Sequence, residues 1–352
     1  MLDNPEAILA GDPKGIYGMA SGFADQCIKA LEIARAAKIP NLAIQPTNAI
    51  LLGMGGSAAG GDLVAAVFAE EGKIPFLVNR EYRAPSYCGS SSLVFAASYS
   101  GNTEETLSAY AQAHASGAQI IAVTTGGELG MLALSDGHTL IQVPGGLPPR
   151  MALGYMLVPV LVTCERLGLI PEQPWEAVIQ AIRDSFDQSR IEVPTAQNEA
   201  KQIASELFGA VGVIYGLGVW QGAVAGRWKC QLNENSKCLA FSKELPEMNH
   251  NEILGWINAP KQGVQTWRAY FLEDGTESKK MRLRADYTER CMTGSTSVRR
   301  VQAKAAGLLP RIFELTYLAD FVSLYLAALY GVDPENIDWL TQLKLELGAA
   351  SS

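Results

Sequence analysis

Three groups of residues in this chain have types and spacings suited to chemistry. The first is Ser98-Tyr99-Ser100-Gly101-Asn102-Thr103-Glu104-Glu105-Thr106, which follows an uncharged apolar run at 93–97 and opens a helical pattern reaching about Gly117. Hydroxyls at 98, 100 and 103 around a glycine turn add side-chain donors to the free N–H groups of a helix start, where the dipole favours an anion. Lys and Arg are absent from the stretch, so an anion would be held there by hydrogen bonds. Alone, the motif reads equally well as an ordinary N-cap. The second group, GMGGSAAGGD at 53–62, also follows a strand-like run, and its glycines permit a sharp turn and close approach of a ligand to the backbone. Two such turns from neighbouring strands point to one shared phosphate pocket. The third group lies at 227–256, where Glu234 stands between Asn233 and Asn235, and His250 lies in Asn249-His250-Asn251-Glu252. A loop histidine taken singly is more often a solvated or capping residue than a catalyst. His250 is raised by its company, since a carboxylate, an imidazole and phosphate loops together suit proton movement on a sugar phosphate. His114 and His138 keep the bland reading, one in the helix after the serine loop and the other beside Gly137 in a turn.

The elements that must position these groups follow an alternating pattern. Strands are expected at 49–52, 75–78, 93–97, 119–123 and 139–143 with helices between them, which predicts a doubly wound, largely parallel sheet. A single amphipathic helix is expected over Tyr17–Ala37, and helices over Met151–Leu167 and within Pro171–Asn198. The second half restarts the same grammar with a strand at 211–215, a Gly216-Leu217-Gly218 turn, a helix over Val219–Leu232, strands at 238–241, 264–272 and 297–303, and helices over Arg311–Tyr330 and Asn336–Leu347. The reading is therefore an α/β chain of two doubly wound domains: 1–165 with a leading helix and the phosphate loops, a helical linker at 166–198, and 199–352 with Glu234 and His250. Most of the apolar Arg311–Tyr330 helix is expected in the core.

Bulk composition narrows the partners. A chain of 352 residues holds two domains of ordinary size. Its net charge of −8 argues against nucleic acid or an anionic membrane as the main partner, though not against a small phosphate ester. The N-terminus lacks the basic and apolar regions of a signal peptide, and the apolar stretch Met151–Cys164 is too short to span a bilayer. Six cysteines lie far apart without a Cys-x-x-Cys pair, which suits reduced thiols in the cytosol. Three histidines without ligand spacing argue against a structural zinc site. Gly53-x-Gly55-x-x-Ala58 also fits a relaxed dinucleotide fingerprint, but the next strand ends in Asn79-Arg80 rather than the expected acidic residue, so an NADP-dependent enzyme is a distant reading.

Seven segments in order, GMGGSAAGGD, SYSGNTEET, VPGGLPPRMALGY (143–155), RWKCQLNENSK (227–237), ELPEMNHNEILGW (244–256), LADFVSLYLAALYGVDP (318–334) and LKLEL (343–347), resemble the bifunctional phosphoglucose/phosphomannose isomerase family, built from two sugar-isomerase (SIS) domains. The resemblance implies an aldose–ketose isomerase that converts glucose 6-phosphate, and mannose 6-phosphate less directly, to fructose 6-phosphate through a cis-enediol. By motif position it assigns the substrate phosphate to Gly55, Gly56, Ser57, Ser98, Ser100 and Thr103. It places Arg150 near the reacting carbons and makes Glu234 the base, His250 the ring-opening residue and Lys344 a C-terminal active-site lysine. It further implies no metal, nucleotide or organic cofactor, and a homodimer with a shared site to which His250 is the residue expected from the partner. One departure bears on the mannose epimer. The family's Asp-Pro-Thr-Pro-Val is here Asp333-Pro334-Glu335-Asn336-Ile337, and Thr341 is the only hydroxyl between Gly331 and Lys344. The alternative reading is a regulator whose SIS domains bind sugar phosphates without turnover; Glu234, His250 and Lys344 together argue against it.

Overall fold

The computed structural model describes residues 1–39, 41–263 and 266–350. The chain opens with α1 (Pro5–Ala10), α2 (Ile16–Ser21) and α3 (Phe23–Ala36). The single helix expected over Tyr17–Ala37 is thus two helices, because the Gly22 N–H turns back onto the Gly18 and Ala20 carbonyls and ends the first.

A parallel sheet follows, made of β1 (Asn48–Leu52), β2 (Phe76–Asn79), β3 (Ser92–Ala97), β4 (Gln119–Thr124) and β5 (Thr139–Gln142), with α4 (Gly55–Glu71), α5 (Glu104–Ala115) and α6 (Gly127–Ser135) between strands. Its strand order is β2-β1-β3-β4-β5. The chain therefore winds outward in opposite directions from β1 and β3, and the crevice beyond their carboxyl ends is the place where such sheets bind ligands. Strand β3 shows why its sequence is apolar throughout. Leu93, Phe95 and Ala97 enter one hydrophobic cluster, while Val94 and Ala96 enter another on the opposite face. Alternate residues point to opposite sides of a strand, and a parallel sheet is covered on both.

Helix α7 (Leu153–Arg166) packs back on α3 and α4 of the first half, and α8 (Trp175–Ser189) and α9 (Glu199–Leu207) lead into the second. Trp175, Val178, Ile179 and Ile182 bury one stripe of α8 at helical spacing, and the Asn198 side chain caps α9 by accepting from the Lys201 N–H at 3.0 Å. The second sheet comprises β6 (Val211–Gly216), β7 (Ala240–Glu244), β8 (Trp267–Glu273) and β9 (Ser297–Gln302). All its pairings are parallel, in the order β7-β6-β8-β9. Its helices are α10 (Val219–Asn235), α11 (Glu252–Asn258) and α12 (Lys279–Met292), followed by α13 (Leu308–Tyr330) and α14 (Asp338–Ala350). The strand expected over 264–272 begins at Trp267, and positions 264 and 265 lie outside the described residues. The strand expected at 238–241 is shifted to Ala240–Glu244.

One apolar cluster runs through both halves and includes residues of α3, α7, α8, α10 and α13. Helix α13 is its axis, buried at every position from Leu315 to Ala328. By length and composition alone it could cross a membrane, but most of that stretch is enclosed by protein, as a core helix is. Tyr17 packs edge-on against Phe321, and Phe23 packs against Phe313 and Tyr317, all three on α13. Each large side chain so buried contributes about 1.5–3 kcal/mol, which ties the leading helices to the second half.

Candidate active site

The two glycine- and hydroxyl-rich turns leave adjacent strands, because Leu52 of β1 lies opposite Ala96 of β3. Helix α4 starts at Gly55 without a side-chain cap, leaving its first N–H groups free for an anion. Gly56 is required by packing: a Cβ there would stand 2.7 Å from the Pro149 carbonyl oxygen. The turn after β3 is braced internally. Ser98 is buried, its hydroxyl lies 2.8 Å from the Thr103 hydroxyl, and it accepts from the Gly101 N–H at 3.1 Å. Gly101 adopts φ +73°, and a Cβ would be 1.9 Å from the Gly126 carbonyl oxygen. Ser100 is exposed and accepts from the Asn102 N–H, while Thr103 occupies the N-cap of α5 with its hydroxyl off the helix backbone. The Ser98 and Thr103 hydroxyls are thus held by each other, with one of their two protons used between them, and Ser100 is the exposed hydroxyl of the turn.

Arg150 links this region to the carboxylate. Its Cα stands 3.4 Å from the position a Gly56 Cβ would take, and its guanidinium is only 2% exposed. Nε donates to Asn235 Oδ1 at 2.7 Å, one terminal nitrogen to Glu234 Oε1 at 3.1 Å and the other to the Pro334 carbonyl at 2.8 Å. Glu234 lies within the last turn of α10 rather than beyond the helix as the sequence suggested. That turn is anchored from beneath. Asn235 donates to the Ser323 hydroxyl at 2.9 Å, Ser323 donates to the Asp320 carbonyl, and Ser236 donates to the Ser323 carbonyl. Asp320 in turn accepts from Arg227 at 3.2 Å and from Gln231 at 2.5 Å, while the same Arg227 nitrogen also donates to the Arg150 carbonyl at 2.8 Å. Burial pushes the Asp320 carboxyl upward, opposed by Arg227. This network fixes the last turn of α10, from which the Glu234 carboxylate reaches Arg150.

Lys237 is the residue that sequence reasoning passed over, although it closes the RWKCQLNENSK segment. It takes φ +56° just past the helix, and its ammonium donates to the Glu234 carbonyl at 2.6 Å and the Pro334 carbonyl at 3.1 Å. Desolvation first, and Arg150 second, lower its pKa from the ordinary lysine value. Around these groups lies a cleft of about 680 Å³, lined by Asn233, Glu234, Lys237, Asp333 and Asn336 with Trp339 of α14. That volume suits a hexose phosphate. The Asp333–Ile337 segment, where the sequence departs from the family pattern, therefore forms part of the cleft wall.

Of the expected site residues only Glu234 lines this cleft; Arg150 and the turns at 53–57 and 98–103 are not part of its wall. His250 ends a short turn after β7, exposed and outside the cleft, and Lys344 is exposed on α14. Among the described residues neither hydrogen-bonds to Glu234 or Arg150. Arg80, the candidate for a nucleotide 2′-phosphate, is engaged by Asp62 and by the Ala58 carbonyl. His114 and His138, distant in sequence, stand together elsewhere on the first half.

Two parallel SIS-type sheets, with glycine- and hydroxyl-rich turns at the first switch point and an arginine-paired carboxylate from the second half, define a two-domain SIS protein of the sugar-phosphate-isomerase class. Residues 42–142 match the SIS domain, and residues 196–347 match the bacterial phospho-glucose isomerase C-terminal SIS domain. The chain is 40% identical to the bifunctional phosphoglucose/phosphomannose isomerase of Caldicellulosiruptor bescii over 92% of its own length and 96% of the relative's. It is 33% identical to the enzyme of that name from Thermoplasma acidophilum, covering 85% and 89%. Among solved structures, a hypothetical protein of Thermus thermophilus superposes with a TM-score of 0.75 at 14% identity, covering 99% of this chain and 94% of that one. A glucose-6-phosphate isomerase like protein of the same organism gives 0.60 at 18% identity, covering 96% and 98%. The chain belongs to the bifunctional phosphoglucose/phosphomannose isomerase family.

Proposed function

We propose that the protein interconverts glucose 6-phosphate, and mannose 6-phosphate, with fructose 6-phosphate. The observation that carries this reading is the position of Arg150, whose backbone abuts the Gly56 turn while its guanidinium holds Glu234 at 3.1 Å. In this reading Gly55, Gly56, Ser57, Ser98, Ser100 and Thr103 receive the phosphate, which sets the sugar's reacting end toward Arg150. Glu234 takes the C2 proton of the open aldose and returns a proton at C1, passing through a cis-enediol. A positioned general base contributes about 10²–10⁴-fold. Arg150 answers the negative charge that develops on the enediolate oxygens.

Opening the sugar ring calls for a group that moves a proton near neutral pH, the task of His250. Since His250 lies apart from Glu234 within one chain, we assign it to the site of a second copy in a homodimer, with Lys344 near the same entrance. Exposed Leu254 and Ile257 on α11, just after His250, support a subunit contact on that face. The domains follow as 1–165, 166–198 and 199–352, and no metal, nucleotide or organic cofactor takes part in the reaction. A coupled assay of glucose 6-phosphate and mannose 6-phosphate against fructose 6-phosphate, run in chelator without nucleotide, tests the proposal. Binding without turnover would instead identify a sugar-phosphate sensor.

A further inference from the structure

Away from the cleft, three potential ligands that are separated in sequence meet at one edge of the first sheet. His114 occupies the last turn of α5, Asp136 caps the C-terminus of α6, and His138 directly precedes β5. His114 Nδ1 is 2.9 Å from His138 Nε2 and 3.9 Å from Asp136 Oδ2. One donor atom from each of the three residues lies within 4.8 Å of the others. We propose that His114, Asp136 and His138 form a binding site for a divalent first-row transition metal, zinc(II) above all.

The chemistry of the donor set points to that class. Two imidazoles and one carboxylate suit zinc, cobalt or nickel, whereas magnesium and calcium prefer all-oxygen shells. Around tetrahedral zinc with bonds of about 2.0–2.1 Å, donor atoms stand roughly 3.3–3.4 Å apart. The observed 2.9 and 3.9 Å bracket that spacing, so small side-chain rotations bring three donors onto one ion. Three protein ligands leave a fourth position, which the exposure of His114 opens to water. A supporting shell is already built: the Tyr110 hydroxyl donates to Asp136 Oδ2 at 2.8 Å, and the Tyr110 ring packs against both imidazoles. Groups that hold a ligating carboxylate in this way contribute to metal affinity.

The place of the site in the fold says what the ion would do. Thr103 and His114 lie at opposite ends of α5, about 16 Å apart along the helix axis. The metal would thus sit beyond the amino end of the sheet, away from the phosphate loops. It would clip the C-termini of α5 and α6 to the start of β5, a structural role rather than a chemical one.

The probe is metal alone on chelator-stripped full-length protein. Equilibrium dialysis is expected to give one zinc(II) per chain, with His114→Gln and His138→Gln each weakening it at least about tenfold and Tyr110→Phe weakening it by a smaller factor. Cobalt(II) should produce visible d–d bands without the intense near-ultraviolet absorption of thiolate ligation, which separates this site from the six cysteines. Zinc should raise the melting temperature of the parent protein but not of His138→Gln, and isomerase turnover should stay the same in both. Undiminished affinity in the two histidine variants, a thiolate cobalt spectrum, or no binding at micromolar metal would each overturn the site.

Discussion

The turns after β3 and β8 occupy corresponding positions in the two sheets, yet they differ in charge and in how their polar groups are satisfied. After β3 the first residue is Ser98, and the turn offers neutral hydroxyls with no charge of its own. After β8 the first residue is Asp274. Its carboxylate accepts from the Thr276 N–H and hydroxyl, both at 2.7 Å, and from Arg311 at 2.8 Å, while its own N–H donates to Glu277 at 2.5 Å. The donors of this second turn are thus satisfied by the protein's own carboxylates. The adjoining cleft also carries Glu70, Glu71 and Glu277. At the first position past the strand, a serine hydroxyl in one turn is replaced by a carboxylate in the other. The second half meets the first through a different part: α10 packs along its own sheet, with Asn233 accepting from the Ala240 N–H at the start of β7, and its last turn sets Glu234 against Arg150.

Four experiments break or sharpen this contrast. Glu234→Gln removes what the second half contributes, so turnover should fall at least roughly 100-fold with sugar-phosphate binding retained, as steady-state rates and loss of C2-proton exchange with solvent would show. Near-normal turnover would remove Glu234 from the mechanism. Ser98→Ala or Thr103→Ala weakens what the first half contributes. Each should lose about 1.5–3 kcal/mol of binding to the phosphorylated sugar, some 10–150-fold in affinity by calorimetry. An anion found at the Gly216-Leu217-Gly218 turn instead would reverse the roles of the halves. Mixing inactive Glu234→Gln with inactive His250→Ala should restore up to about a quarter of the parent activity, because half of randomly formed dimers are hybrids with one complete site. No recovery after confirmed subunit exchange would return His250 to its own chain. The smallest effect on turnover is expected for Asp274→Ala, which should leave the Michaelis constant unchanged yet lower stability by about 1–3 kcal/mol in denaturant unfolding, since Arg311 and the Thr276 N–H lose their partner.

The first sheet was readable because its strands are short uncharged runs closed by glycine- and hydroxyl-rich turns, a signal that is local. Glu234 and Arg150 were found from motifs, but what joins them was not, because the Arg150–Asn235–Ser323 chain connects residues far apart in sequence through packing. Lys237 escaped for a related reason: its left-handed backbone follows from the end of α10, and nothing in the residue type announces it. Gly22 was read through as helix since its neighbours keep the apolar period. The reading of His114 and His138 as unrelated residues failed on geometry. Spacing rules see only neighbours on one helix or hairpin, whereas His114 at the end of α5 and His138 in the turn before β5 meet only in the folded sheet.

Helix α13 has a consequence for how the protein is made. It leaves the ribosome after both sheets, so the apolar faces of α8, α9 and α10 stay uncovered until the chain has been synthesised past Tyr330. During that interval a targeting machinery that reads only length and hydropathy meets a segment resembling a membrane span. Asp320, at the middle of that segment, makes insertion less favourable by about 2.5–3.5 kcal/mol. The same carboxylate that pairs with Arg227 beneath the last turn of α10 thereby biases the newborn helix toward its own fold and away from the bilayer.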